Sequence, residues 1–142
     1  MPSWRTTLAQ RFSVGFGVFF LVTGIIGLIV HPDFGTGSAL SSELFIIDWN
    51  GWHAVAALGL AAFAFLAAAH RRSAVMFLAI NAVVNANTAV WALFDNTPLG
   101  VLDLPNVTTD VVVHFVLTAV SLAAFFAQLS SDRIADSRPA GA

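Results

Sequence analysis

The side chains of this sequence that are able to do chemistry are few, and two of them recur in the same arrangement. Asp48 stands ahead of His53 and Asp110 ahead of His114, each pair at the start of a long apolar run. Histidine changes charge near neutrality and offers a ring nitrogen to protons, metals or hydrogen-bond donors. An acid one helical turn earlier, as Asp110 is to His114, is within i,i+4 reach. A second polar line, Asn81, Asn85, Thr88 and Asp95, recurs at spacings of four, three and seven, close to one face of a helix. Thr118, Ser121 and Gln128 continue the side of the last apolar run that carries Asp110 and His114. The candidate site is therefore a polar seam of His53, Asn81, Asn85, Thr88, Asp110, His114, Thr118 and Ser121.

Each of these residues also has a purely structural explanation. Unsatisfied amides in hydrocarbon cost several kcal/mol, so Asn81 and Asn85 serve as interhelical glue if they lie in a membrane. Asp110 falls where a helix N-terminus favours an anion. His53 lies above a stripe of methyl groups, Ala57, Ala61, Ala64 and Ala68, on which a neighbouring helix can pack. Against this stands the rule that ionisable groups at membrane depth mark functional sites by default.

Composition excludes several classes of function. The chain has no cysteine, which removes disulfides, thiolate metal sites and cysteine nucleophiles. All six basic residues are arginines and the net charge is -2, so there is no basic patch for nucleic acid. No known catalytic motif is present; the reading is of a non-enzyme with no catalytic residues, no metal and no cofactor.

The elements that must position the seam are transmembrane helices. With 142 residues, 58% hydrophobic and 10% charged, the chain is too apolar for a soluble domain of its size. Four charge-poor runs, Phe12–Val30, Trp52–Ala69, Ser73–Phe94 and Val111–Leu129, each approach the roughly 20 residues that cross about 30 Å of hydrocarbon. The first is longer than a signal-peptide core and is expected to be retained. Its face Ser13, Gly17, Phe20, Gly24, Gly27 and His31 follows helical spacing, with glycines where a neighbour comes close.

The connections are consistent with this. His31 to Gly51 carries turn chemistry and then an apolar patch, Leu44 to Ile47, expected to lie on the membrane surface. Trp49 and Trp52 fit one aromatic belt and Trp91 suits the headgroup zone, while Asp48 or Asn50 is placed to cap the second helix. His70 to Arg72 is a tight turn, and Asp95 to Thr109 is a loop by its two prolines and glycine. The predicted fold is all-α, an integral bundle of four transmembrane helices running up-down-up-down. Residues 1–11 form a polar N-terminal segment, 12–129 the membrane domain and 130–142 a disordered tail. Each half is a helical hairpin whose return helix begins with an acid and then a histidine, a weak parallel repeat.

Three sequence blocks resemble a known family: FLVTGIIGLI at Phe20 to Ile29, NGWHAVAA at Asn50 to Ala57, and LPNVTTDVVVHFVLT at Leu104 to Thr118. They look like the small four-span bacterial membrane proteins, common in actinobacteria, that are catalogued as a domain of unknown function. The resemblance covers Phe12 to Leu129 and rests on Gly24, Gly27, Asn50, His53, Asp110 and His114. The third helix follows no pattern of that family, and Ala57 and Thr118 stand where relatives often have glycine four residues after the histidine. The resemblance implies fold and membrane location and no activity.

Three functions are compatible with the residues. The first is a non-catalytic accessory or assembly component, with the bilayer and either other membrane proteins or a second copy as partners. The second is a carrier of protons or a small cation along the polar seam; metal binding by His31, His53, His114 and the outer acids belongs with it. The third, weakest, is a b-type haem protein ligated by His53 and His114.

All six arginines fall on one side of the predicted bundle, and the loops of the other side carry only acids, which by the positive-inside rule puts both termini in the cytoplasm of a bacterial plasma membrane. A reporter active only in the cytoplasm is expected to work at the C-terminus and after Arg72 but not within Gly35 to Ser42. A cysteine placed at Thr36 is expected to be labelled from outside intact cells; labelling only after lysis would reverse the orientation.

Overall fold

The computed structural model describes residues 6–35, 42–44, 47–94 and 108–137. Its elements are α1 (Leu8–Val30), β1 (Ser42–Leu44), β2 (Ile47–Trp49), α2 (Gly51–Ala68), α3 (Arg71–Ala92) and α4 (Thr108–Asp136). All four helices are long and apolar enough to cross a membrane. They run up-down-up-down, so one end of the bundle carries the start of α1, the α2–α3 turn and the end of α4. That is called the termini end, and the other the loop end. Asp95 and the side chain of Asp48 lie outside the described residues.

The helices associate as two hairpins. α1 packs along α2 and α3 along α4, while the hairpins meet through α1 with α3 and α4 and through α2 with α3; α2 and α4 lie on a diagonal and scarcely touch. The α1–α2 seam is made of small residues, with Gly17, Gly24 and Gly27 facing Ala54, Ala57, Ala61 and Ala64 along one buried strip. Close backbone approach is what such a strip provides where lipid supplies no hydrophobic force between helices. Gly17 and Gly24 admit Phe65 and Leu58 of α2 against the α1 backbone. The α3–α4 seam is of another kind, with Asn81 and Asn85 facing Ser121 and its neighbours.

Several boundaries differ from the sequence expectation, each for a local reason. α1 begins at Leu8 rather than Phe12 because Thr7 and Gln10 form a capping box: Thr7 Oγ1 accepts from the Gln10 amide at 3.3 Å, and Gln10 Oε1 accepts from the Thr7 amide at 2.9 Å. α2 is capped by Asn50, whose side chain accepts from the His53 amide at 3.0 Å. Residues 42–44 and 47–49 pair as a two-stranded antiparallel ribbon, Ser42 opposite Trp49, within the stretch expected to be a surface loop.

The largest correction concerns the region from Ser130, expected to be disordered: α4 continues to Asp136. Its extra turns are held from outside the helix, because Asp132 pairs with Arg71 at the start of α3 and accepts from Gln128 Nε2 at 2.8 Å. Gln128 in turn accepts from the Ala9 amide at 3.0 Å, and Gln10 Nε2 donates to the Ala68 carbonyl at 2.9 Å. These polar links close the termini end across all four helices.

At the loop end the chain after α1 folds back over the start of α2. The Gly51 amide donates to the Asp33 carbonyl at 2.7 Å, and Trp52 Nε1 donates to the Phe34 carbonyl at 3.0 Å. Trp49 is buried with its indole nitrogen edge against Gly27, where any Cβ would overlap the ring. A rigid indole cannot yield as a flexible side chain does. Gly27→Ala is therefore expected to lower stability in micelles by about 1–3 kcal/mol, the usual cost of overpacking. Gly15→Ala, whose added methyl meets nothing within 4 Å, is expected to be neutral or stabilising by up to about 1 kcal/mol. Similar thermal shifts for the two would contradict the placement of Trp49.

Candidate functional site

Four of the predicted seam residues form one hydrogen-bonded ladder between α3 and α4. Asn81 and Asn85 are one turn apart on the buried face of α3. Asn81 Nδ2 donates to Ser121 Oγ at 2.9 Å, and Ser121 Oγ donates to the Leu117 carbonyl at 2.8 Å. Asn85 Nδ2 donates to the carbonyl and the Oδ1 of Asn81 at 2.8 and 3.1 Å. This leaves Asn85 Oδ1 facing Nδ1 of His114 at 2.9 Å.

The amides fix the histidine. Because Asn85 Oδ1 only accepts, Nδ1 of His114 carries the proton, and in the neutral ring the lone pair is on Nε2. The ladder thus runs in one direction, from His114 through Asn85, Asn81 and Ser121 to a backbone carbonyl. A hydrogen-bonded partner on one ring nitrogen also sets the orientation of the other, as it does for histidines that bind ligands.

The ring of His114 borders a cavity of about 120 Å³ at the loop end, between the two hairpins. His53, Asn85, Thr88, Asp110 and His114 contribute to its wall together with Phe19, Phe20 and Trp49. His53 is only 8% exposed, and its Nδ1 has no hydrogen-bond partner among the described residues. Its ring stacks on Trp49 with centroids 5.3 Å apart and planes at 27°. Asp110 is fully buried in the first turn of α4. Among the described residues no three histidine or carboxylate side chains converge as a metal site would require.

The eight predicted residues therefore separate into groups. His53 and His114 share one cavity without α2 and α4 touching, and Asp110 joins them there. Asn81 and Ser121 lie deeper and belong to the ladder alone. Thr88 turns to its own helix, its Oγ1 donating to the Val84 carbonyl at 3.0 Å, whereas Thr118 Oγ1 donates to the His114 carbonyl at 2.8 Å and also reaches the Ala82 carbonyl of α3 at 3.4 Å. Neither hydroxyl extends the ladder.

Sequence reasoning missed two components. Trp49, assigned to a headgroup belt, is instead a buried wall of the cavity. Beneath the ladder, toward the termini end, Phe77 lies one turn from Asn81 and is fully buried between Phe63 of α2, at 5.3 Å between centroids, and Phe16 of α1, at 6.1 Å. These rings come from α1, α2 and α3, and Ser13 and Gln128 are the buried polar residues nearer the termini end.

Removing one rung isolates its test. Asn85→Leu leaves His114 Nδ1 and Asn81 Oδ1 without their partner and is expected to cost about 1 kcal/mol of stability, within the range measured for interhelical hydrogen bonds in membranes. Asn87, exposed on the same helix, is expected to tolerate leucine with little change. Equal shifts in denaturation in micelles would place the buried face of α3 elsewhere.

No curated protein and no solved structure matches this chain. One family does match, described as Domain of unknown function (DUF4383), over residues 10–127. That span includes the whole ladder, the cavity and the aromatic layer. The four-helix chain that builds them belongs to the DUF4383 family.

Proposed function

We propose that this protein is a non-catalytic accessory or assembly component of the bacterial plasma membrane, with both termini in the cytoplasm, rather than a carrier. The observation that carries this reading is the aromatic layer. A proton or cation moving along the seam from His114 reaches Asn81 and Ser121 and then meets Phe16, Phe63 and Phe77, which offer no polar atom. Dehydrating an ion into such a layer costs many times the thermal energy. The direction of the ladder supports the same conclusion, since its last donor ends on the Leu117 carbonyl.

The haem reading is disfavoured by size. A cavity of about 120 Å³ is smaller than the roughly 300 Å³ at which pockets for drug-sized ligands begin, and a porphyrin is larger still. The partners of an accessory component are the surrounding lipid and another membrane protein or a second copy of the chain. The lipid-facing surface is ample: α4 alone exposes Val112, Phe115, Val116, Val120, Leu122 and Phe126.

Liposomes loaded with a pH-sensitive dye test the choice. Wild type and the His53→Gln, His114→Gln double variant are both expected to give the proton flux of protein-free vesicles under an imposed pH gradient. Flux through wild type that is lost in the double variant would establish the carrier reading in place of this one.

A further inference from the structure

The cavity between the hairpins has features that a packing defect lacks. Its walls are mostly carbon, yet the His114 ring is part of them, and one nitrogen of that ring is left over after every hydrogen bond in the ladder is made. That nitrogen is Nε2, whose lone pair follows from the Asn85 contact at Nδ1. A buried polar group without a partner costs about 1–3 kcal/mol, so a guest that satisfies one gains that amount over a guest that cannot.

We infer that this cavity binds a small planar aromatic molecule carrying one O–H or N–H donor, its ring against Phe20 and Trp49 and its donor on Nε2 of His114. The inference rests on the reading of the seam as closed rather than conducting.

Three observations select this class. The volume, about 120 Å³, suits a single ring: an engineered apolar cavity of about 150 Å³ takes benzene. Phe19, Phe20 and Trp49 are among the wall residues, and aromatic side chains gain from offset or edge-to-face contact with an aromatic guest. With Nδ1 of His114 donating to Asn85 Oδ1, Nε2 is an acceptor, so the guest must supply the proton. Water is a poor alternative occupant, because it needs two to four polar partners and the cavity is predominantly lined by carbon. A neutral donor also enters from lipid without the desolvation that a cation would suffer.

The route is provided by the helix arrangement. All four helices line the cavity, and one of its wall residues, Ala56 of α2, is exposed on the outside of the bundle. A molecule partitioned into the bilayer reaches the site sideways and need not cross the bundle.

Phenol and toluene, alike in size and differing in the donor, are the probes. The full chain in nanodiscs, with protein-free nanodiscs as the partitioning control, is titrated with each while the imidazole nitrogens are followed by nitrogen NMR. Phenol is expected to bind saturably, at least tenfold more tightly than toluene, and to shift Nε2 of His114. His114→Phe is expected to remove the preference. Ala56→Phe, which fills the cavity from an exposed position without touching the ladder, is expected to abolish saturable binding of phenol. Equal affinities for the two probes, phenol binding unchanged in Ala56→Phe, or no saturable binding would each overturn the inference. Failure of the closed-seam reading is seen separately, as proton flux through wild type without any probe.

Discussion

An amide inside a bilayer finds no water to bond, so its partner must be another part of the protein, and Asn85 answers that constraint on both of its ends. Its nitrogen holds the next rung of α3 and its oxygen holds a ring on α4. The register of the two helices follows, because a shift of α4 along α3 by a single turn would separate His114 from Asn85 and Ser121 from Asn81 together. Without a hydrophobic force to favour one packing of apolar helices over another in lipid, such directional contacts decide which packing is specific. The cavity then exists because the α3–α4 hairpin is held in this one register beside its partner.

The two hairpins achieve specificity by different chemistry. In α1–α2 the glycines and alanines allow the backbones to approach, and the shapes of Phe65, Leu58 and Trp49 select where. In α3–α4 hydrogen bonds do the selecting. Between the hairpins the contacts are fewer, with the bond from the Ala9 amide of α1 to Gln128 of α4 fastening the termini end. The loop end has no comparable clamp spanning all four helices among the described residues, and it is there that the cavity opens.

Helical periodicity made much of this legible. The positions Asn81 and Asn85, the strip from Ser13 to Gly27 and Ala57, Ala61 and Ala64 below His53 face inward as their spacing requires, while the last alanine of that stripe, Ala68, is half-buried and Ala67 is buried beside it. Spacing within one helix cannot report the rotation of another, so the pairings Asn81 with Ser121 and His114 with Asn85 were not readable. Thr88 looks identical to a seam residue in sequence, but a threonine in a helix can satisfy its hydroxyl on the preceding turn, and this one does. The aromatic layer was hidden by abundance: among 13 phenylalanines nothing in the sequence sets Phe16, Phe63 and Phe77 apart from those that face lipid. The extension of α4 was hidden because polar composition argues for a tail, while the Arg71–Asp132 pair that stabilises it is formed across the hairpin.

The bond between Gln128 and the amide of Ala9 bears on how the molecule is made. The first turn of a helix has backbone donors with no partner of their own, and Ala9 holds one of them fully out of solvent. Its acceptor is 119 residues further along the chain. During synthesis α1 enters the bilayer before α4, so until α4 is inserted beside it this amide has water as its partner instead of Gln128. Membrane entry is sequential, but completion is a closing event that joins the first of these four helices to the last. A ribosome stalled before Gln128 leaves an open bundle whose beginning still lacks its final tie.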